Sequence, residues 1–287
     1  MRNYASDIKT IREALNKSLE DFSYIFKIDK SSLSRYEAGY VIPDDITMDR
    51  IYSYAYREGL HINSAKALFY EQMKQNNTRL LFHGSRHGLE GLITVEKSER
   101  SKDFGKGFYL GENYIQSGMF ISNYSDSTIG LFYFAENPEI HIEEFNLTLE
   151  WVLAICYNRG FLNEYANHPS VENALARVKY ADVIIAPIAD NQMFDIMEKF
   201  VIGTITDEVC LHSLAAMNLG KQYVFKNDEA INKCLRLVEE LPLCSEERED
   251  LRKQRQQFNN DNFVKNKQVE REFRGKGKYI DEILCLD

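Results

Sequence analysis

The sequence predicts an α+β protein, an all-α module followed by a larger mixed α+β domain. Two observations carry that expectation. Up to about residue 76 apolar residues recur at the three- and four-residue spacing of amphipathic helices. From Thr78 onward the pattern changes to short apolar runs bounded by Gly, Asn and Asp. At 287 residues the chain has room for more than one module. The reading divides it into a helical domain at 1–76, a mixed domain at 77–243 and a charged helical tail at 244–287.

Composition narrows the function classes. With 44% hydrophobic and 28% charged residues, and 17 Tyr with 17 Phe, the chain has ample material for a core. The net charge of −9 gives no global attraction for nucleic acid, so any such binding must come from a local patch. No apolar run stands behind a basic start at Met1-Arg2, and no stretch reaches the ~18 to 20 apolar residues of a membrane span. The five cysteines are scattered without a CxxC pair, which indicates neither a zinc site nor a disulfide frame. The expectation is a cytoplasmic protein with no metal and no membrane partner.

In the first module, Ile8, Ile11 and Leu15 form one helical stripe, and Leu19, Phe22, Ile25 and Phe26 form the next. Asn16-Lys17-Ser18 separates them, with Ser18 as an N-cap and Asp21 at the capping-box position. Asp29 caps a third helix running through Glu37, Ala38-Gly39 stops it, and Ile42-Pro43-Asp44-Asp45 opens a fourth. Residues 46–75 continue helical. A turn, a Ser-rich helix bearing one Arg, then Gly and a Pro-bounded restart resembles the helix-turn-helix of the Cro/phage-repressor family over about residues 7–55. The resemblance implies that Lys30 to Glu37 lies in the major groove of operator DNA, with Ser31, Ser32 and Arg35 at phosphates or bases. Leu19 stands where that family carries Gln. Residues 1–45 hold seven Lys+Arg against eight Asp+Glu, so the module forgoes much of the phosphate-neutralising term. The alternative is a repressor-shaped bundle that makes protein contacts or dimerises.

In the second domain, strands are expected at Leu80–His83, Gly107–Leu110, Ile129–Phe134, Asp182–Pro187 and Gln222–Lys226. Helices are expected at Ile140–Tyr157, Glu172–Val178, Asp207–Met217 and Asp228–Leu241. No GxGxxG follows a strand and no GxxxxGK[ST] is present, so dinucleotide-fold and P-loop fingerprints are missing. Two segments carry the chemistry. Leu81-Phe82-His83-Gly84-Ser85 is an apolar strand ending in polar groups, and Asp103-Phe104-Gly105-Lys106-Gly107-Phe108-Tyr109-Leu110 is a glycine-bracketed turn that delivers an aromatic ring.

Together with Gly91-Leu92-Ile93 these segments are similar to the signature of poly(ADP-ribose) polymerases and their relatives, and closer still to a bacterial family of ADP-ribosyltransferase-like domains. The resemblance covers about residues 78–241 and implies an ADP-ribosyltransferase fold with NAD⁺ as co-substrate. By that resemblance His83 bonds the adenosine ribose, Gly84 holds the nicotinamide amide by its backbone and Ser85 reaches the amide oxygen. Tyr109 stacks on the nicotinamide, and Gly105 and Gly107 let the loop turn beneath it. Cleavage of the glycosidic bond passes through an oxocarbenium-like state, so catalysis rests on pose and charge stabilisation.

That last role falls in this superfamily to a Glu at the start of a later strand. Gly220-Lys221-Gln222-Tyr223-Val224-Phe225 matches the strand, with Gln222 at the Glu position. A neutral amide still accepts a hydrogen bond from a ribose hydroxyl but supplies no full negative charge. This fits a mono-ADP-ribosyltransferase acting on a protein or nucleic-acid acceptor, or a domain that binds NAD⁺ or another nucleotide without turnover. Asp190, Asp207 and Glu208 are carboxylates that could substitute.

The tail, residues 245–278, is expected as a solvated helix with i,i+4 ion pairs, and Tyr279 to Leu286 as a last docking element. By family analogy alone, a repressor-like module on such an enzyme fits a toxin–antitoxin or phage-defence system with an antitoxin partner.

Overall fold

The structure is a computed structural model that describes residues 2–89, 91–98, 102–217 and 220–285. In chain order it runs α1 (Tyr4–Ala14), α2 (Leu19–Phe26), α3 (Lys30–Glu37), α4 (Asp45–Arg57), α5 (Ile62–Met73), β1 (Thr78–Ser85) and β2 (Phe108–Gly111). It continues with α6 (Tyr114–Ile121), β3 (Thr128–Ala135), β4 (Ile142–Glu144), α7 (Leu149–Asn158), α8 (Pro169–Tyr180), β5 (Val183–Pro187) and α9 (Asn191–Val201). Then come α10 (Asp207–Met217), β6 (Lys221–Phe225), α11 (Asp228–Cys234), β7 (Leu235–Pro242), α12 (Ser245–Glu272) and α13 (Ile280–Ile283). The protein is mixed α+β, with both parallel and antiparallel strand pairing.

The chain forms two compact units, each assembled from three segments. The first comprises Met1–Leu89, Tyr114–Phe134 and Arg236–Gln254. Its helices start and stop where local chemistry dictates. Ser18 and Asp21 form a reciprocal capping box on α2, and Asp29 and Asp44 accept from the amides of Ser31 and Thr47 at the starts of α3 and α4. The stripes Ile8/Ile11, Phe22/Phe26, Leu33 and Met48/Ile51 meet in one apolar cluster. Strands β1, β3 and β7 lie side by side in that order, and Leu80, Phe82, Ile129, Leu131 and Leu241 pack with Leu251 of α12.

Two buried polar clusters sit within this unit. Lys66 lies 2.5 Å from both Asp7 and Glu239, which also accept from the hydroxyls of Tyr52 and Tyr70. Burial pushes the Asp7 carboxyl up, against the pull of Lys66. Glu247 accepts from Tyr114 Oη at 2.6 Å and from Asn63 Nδ2 at 2.8 Å.

The second unit comprises Glu90–Asn113, Ala135–Leu235 and Arg255–Asp287. Its strands lie in the order β4, β5, β6, β2. β5 and β2 both pair antiparallel with β6, and β4 runs parallel to β5. Trp151, Val152, Ile155, Ile184, Met197, Phe200 and Val224 form its core, closed by Ile280 and Leu284. The short last helix thus docks as expected; Leu286 lies outside the described residues.

Two expected helices are corrected. Residues 140–157 contain a strand first, β4, and the helix begins only at Leu149 after Thr148. The edge of β5 recruits residues 142–144 into the sheet, where Ile142 pairs with Val183. The expected helix 228–241 ends at Cys234, and 235–242 is strand β7. Leu235, Val238 and Leu241 suit a helix and Leu235, Leu237 and Leu241 suit a strand; pairing beside β3 decides between them, and Glu239 turns inward to Lys66. Helices α6 and α9 are not among the helices expected from the sequence.

Candidate functional site

Residues singled out by sequence lie in both units. In the first, β1 carries Leu80, Leu81 and Phe82 into the core and ends in partly exposed His83, Gly84 and Ser85. A Cβ on Gly84 would stand 2.8 Å from the carbonyl oxygen of Ser117 and 3.0 Å from Ile121 Cγ2. The glycine therefore lets the α6 backbone settle onto the strand, a packing reason alongside the ligand-approach reason expected from sequence. Ser85 Oγ donates to Gly88 O at 2.7 Å and closes the following turn.

The second unit gathers Gly105, Gly107, Tyr109 and Gln222. In the β2–β6 register Tyr109 lies opposite Val224 and Gly111 opposite Gln222. Because side chains alternate along a strand, Tyr109, Val224 and Gln222 share one face of the sheet. The other neighbour of Gln222 is Ala186 on β5, so small residues flank it on both sides. Tyr109 is fixed by its own loop: its hydroxyl donates to Gly105 O at 2.7 Å and accepts from Phe104 N at 3.2 Å. Gly105 adopts φ +75°, in the left-handed region. Burial pushes the Tyr109 hydroxyl well up, so the phenol is neutral. Gly107 lies against β6, where a Cβ would stand 2.7 Å from Val224 Cγ1 and 2.9 Å from Phe225 O.

Gln222 is only 6% exposed. Its Nε2 donates to Asp103 Oδ2 at 2.9 Å and to Pro187 O at 3.0 Å. Both partners are pure acceptors, so the amide orientation follows from chemistry. With both hydrogens donated, the acceptor Oε1 is what the side chain has left to offer. Asp103, also buried, accepts from Arg159 Nη2 at 2.7 Å, and the Arg159 guanidinium lies 4.0 Å from the centre of the Phe194 ring.

Lys226, just past β6, donates to Phe104 O, and burial pushes its amine down to about 8. The loop from Asp103 to Tyr109 is therefore held at Asp103, at the Phe104 backbone and at Gly105.

Three residues of this constellation escape sequence reasoning as site members: Asp103, Arg159 and Lys226. Asp103 has a signal, since it opens the glycine-bracketed segment. Arg159 comes from 56 residues further on, and nothing local marks it. The carboxylates weighed as substitutes serve helix ends. Asp190 caps α9 by accepting from Met193 N, and Asp207 accepts from Glu208 N and Lys278 N; Glu208 follows it in the first turn of α10. Among the described residues no group of three or more His, Cys, Asp or Glu is placed to hold a metal ion, and no helix is long and apolar enough to cross a membrane.

On α3, both the amide and hydroxyl of Ser31 are engaged by Asp29, Ser32 is partly buried and Arg35 is exposed. Lys30 pairs with Glu20 at 2.7 Å, and Arg12 makes a two-pronged contact with Glu37 at 2.6 and 2.9 Å.

No curated protein and no solved structure matches the chain. Residues 80–237, more than half of its length and spanning both chemical segments and β6, match the family described as protein of unknown function, DUF3990. The chain belongs to the DUF3990 family.

Proposed function

We propose that the protein is a mono-ADP-ribosyltransferase that moves ADP-ribose from NAD⁺ to a macromolecular acceptor and releases nicotinamide. The observation that carries this reading is the shared face of Tyr109 and Gln222, one bearing a ring fixed by its loop and the other an amide whose free atom is an acceptor. In this reading Tyr109 stacks on nicotinamide, and Gln222 Oε1 accepts from a ribose hydroxyl as positive charge develops on the sugar. The ribose and amide roles that the resemblance gives His83, Gly84 and Ser85 stand as proposals of their own. The leaving nicotinamide is neutral and needs no proton, so orientation and electrostatics supply the acceleration. The acceptor brings its own nucleophile, since an amide at position 222 is a poor general base.

Purified protein incubated with labelled NAD⁺ and cell lysate tests the reading, by following nicotinamide and label on protein, DNA and RNA. Release with label on one class of acceptor is expected. No release in any sample would refute the transferase, and release without attached label would indicate hydrolysis.

A second reading has its own support in the uncharged residue at 222 and in the capped helices α2–α4. It is a regulator that binds operator DNA through Ser31, Ser32 and Arg35 and senses a nucleotide without consuming it. Either activity suits a toxin–antitoxin or phage-defence setting in which an antitoxin restrains the protein.

A further inference from the structure

A buried Gln needs partners for its amide, but it does not need a carboxylate. Backbone carbonyls of the sheet would serve, and burying a carboxylate carries a desolvation cost that an apolar residue would avoid. Here Asp103 and Arg159 are nonetheless brought in from outside β6, and Asp103 Oδ2 is aimed at the amide nitrogen of Gln222. Donation of an amide hydrogen to a carboxylate draws electron density toward the amide oxygen. Hydrogen bonds polarise one another in this way, by roughly 10–30% per bond in a low-dielectric interior.

We propose that Asp103 is a positioning residue that acts through Gln222, orienting and polarising its amide so that Oε1 stands in for a carboxylate oxygen. The negative charge missing at position 222 is held one hydrogen bond behind it. Arg159, on Oδ1, leaves Oδ2 aimed at the amide, and Pro187 O takes the second amide hydrogen so that the group cannot flip. Gly111 and Ala186 on the flanking strands leave no bulk beside it. The catalytic part of this inference rests on the transferase reading; the Asp103–Gln222 coupling does not.

The test exchanges the two groups in the full-length chain. Asp103→Asn and Gln222→Glu are made singly and together, and nicotinamide release from NAD⁺ is measured. The double exchange restores one amide and one carboxylate facing each other, with the introduced amide oxygen able to accept from Arg159. Each single change is expected to lower kcat by about 10²-fold, in the range found for loss of one transition-state hydrogen bond. The double change is expected to recover most of that loss, the non-additivity of two residues that act through one hydrogen bond. Losses that add, or a rate in Asp103→Asn equal to wild type, would overturn the role.

Side-chain amide NMR of wild-type Gln222 reads the coupling without any variant or activity. One proton far downfield of its partner is expected; two protons at ordinary unbonded positions would overturn the coupling. Wild type that releases no nicotinamide would refute the transferase and the catalytic role, and the amide resonances would still decide whether Asp103 polarises Gln222.

Discussion

Replacing Gln222 with Glu sets a carboxylate against two acceptors, Asp103 Oδ2 and Pro187 O, now 2.9 and 3.0 Å from the amide nitrogen. The substitution removes a neutral hydrogen bond of about 1 kcal/mol and one to a charged group of roughly 1.5–3 kcal/mol. It also leaves a buried charge beside a like charge. Breaking a buried charged arrangement in this way costs about 3–5 kcal/mol. A protonated carboxyl can donate once and recovers part of that.

Burial and Asp103 therefore raise the folded-state pKa of the introduced carboxyl above its unfolded value of about 4.3. For a group raised in the fold, the deficit is smallest below the unfolded value and grows as pH rises toward the folded one. Thermal unfolding of variant and wild type at pH 4.5 and pH 8 measures this. The expected fall in midpoint at pH 8 is about 10 °C, taking roughly 2–4 °C per kcal/mol for a unit of this size, and it is clearly smaller at pH 4.5. Equal shifts at both pH values, or a shift under about 2 °C at pH 8, would show that Gln222 is not clamped between two acceptors.

Other consequences are open to direct measurement. His83→Ala and Tyr109→Ala are each expected to abolish nicotinamide release; wild-type rates in both would remove the assigned site. Glu247 is buried, and burial pushes its carboxyl up to about 7 against the bonds from Tyr114 and Asn63. Its contribution is complete below the unfolded value near 4.5 and is lost as pH rises to about 7, a difference on the order of 3 kcal/mol. Glu247→Gln, in which the Tyr114 hydroxyl can turn to accept, should flatten the melting midpoint between pH 5 and 8; parallel profiles would count against it. Gly107→Ala should destabilise by about 1–3 kcal/mol through overpacking against β6, and an unchanged urea midpoint would contradict the close approach. If the helical module binds operator DNA, Arg35→Ala should weaken binding and lower its salt dependence by about one counterion, read by fluorescence anisotropy.

Much of the local architecture was legible in residue order. Ser18, Asp29 and Asp44 announced the helix starts they cap, because capping is a contact within three residues. The strands expected at 80–83, 107–110, 129–134, 182–187 and 222–226 overlap β1, β2, β3, β5 and β6, because apolar runs between turn residues mark them. What failed were segments whose pattern suits two structures. Residues 142–144 and 235–242 became strands because a neighbouring strand offered an unpaired edge, which no local propensity encodes.

The same division holds at the candidate site. Sequence alone determined that a glycine-bracketed turn delivers Tyr109 and that an amide, not a carboxylate, occupies position 222. The tertiary structure decided what that amide is tied to. The β2–β6 register sets Tyr109 and Gln222 on one face. Asp103 reaches Gln222 across 119 residues of sequence, and Arg159 reaches Asp103 across 56. Hydrogen bonds of that kind depend on how strands and loops pack in space, and a linear sequence carries the groups without the distances between them.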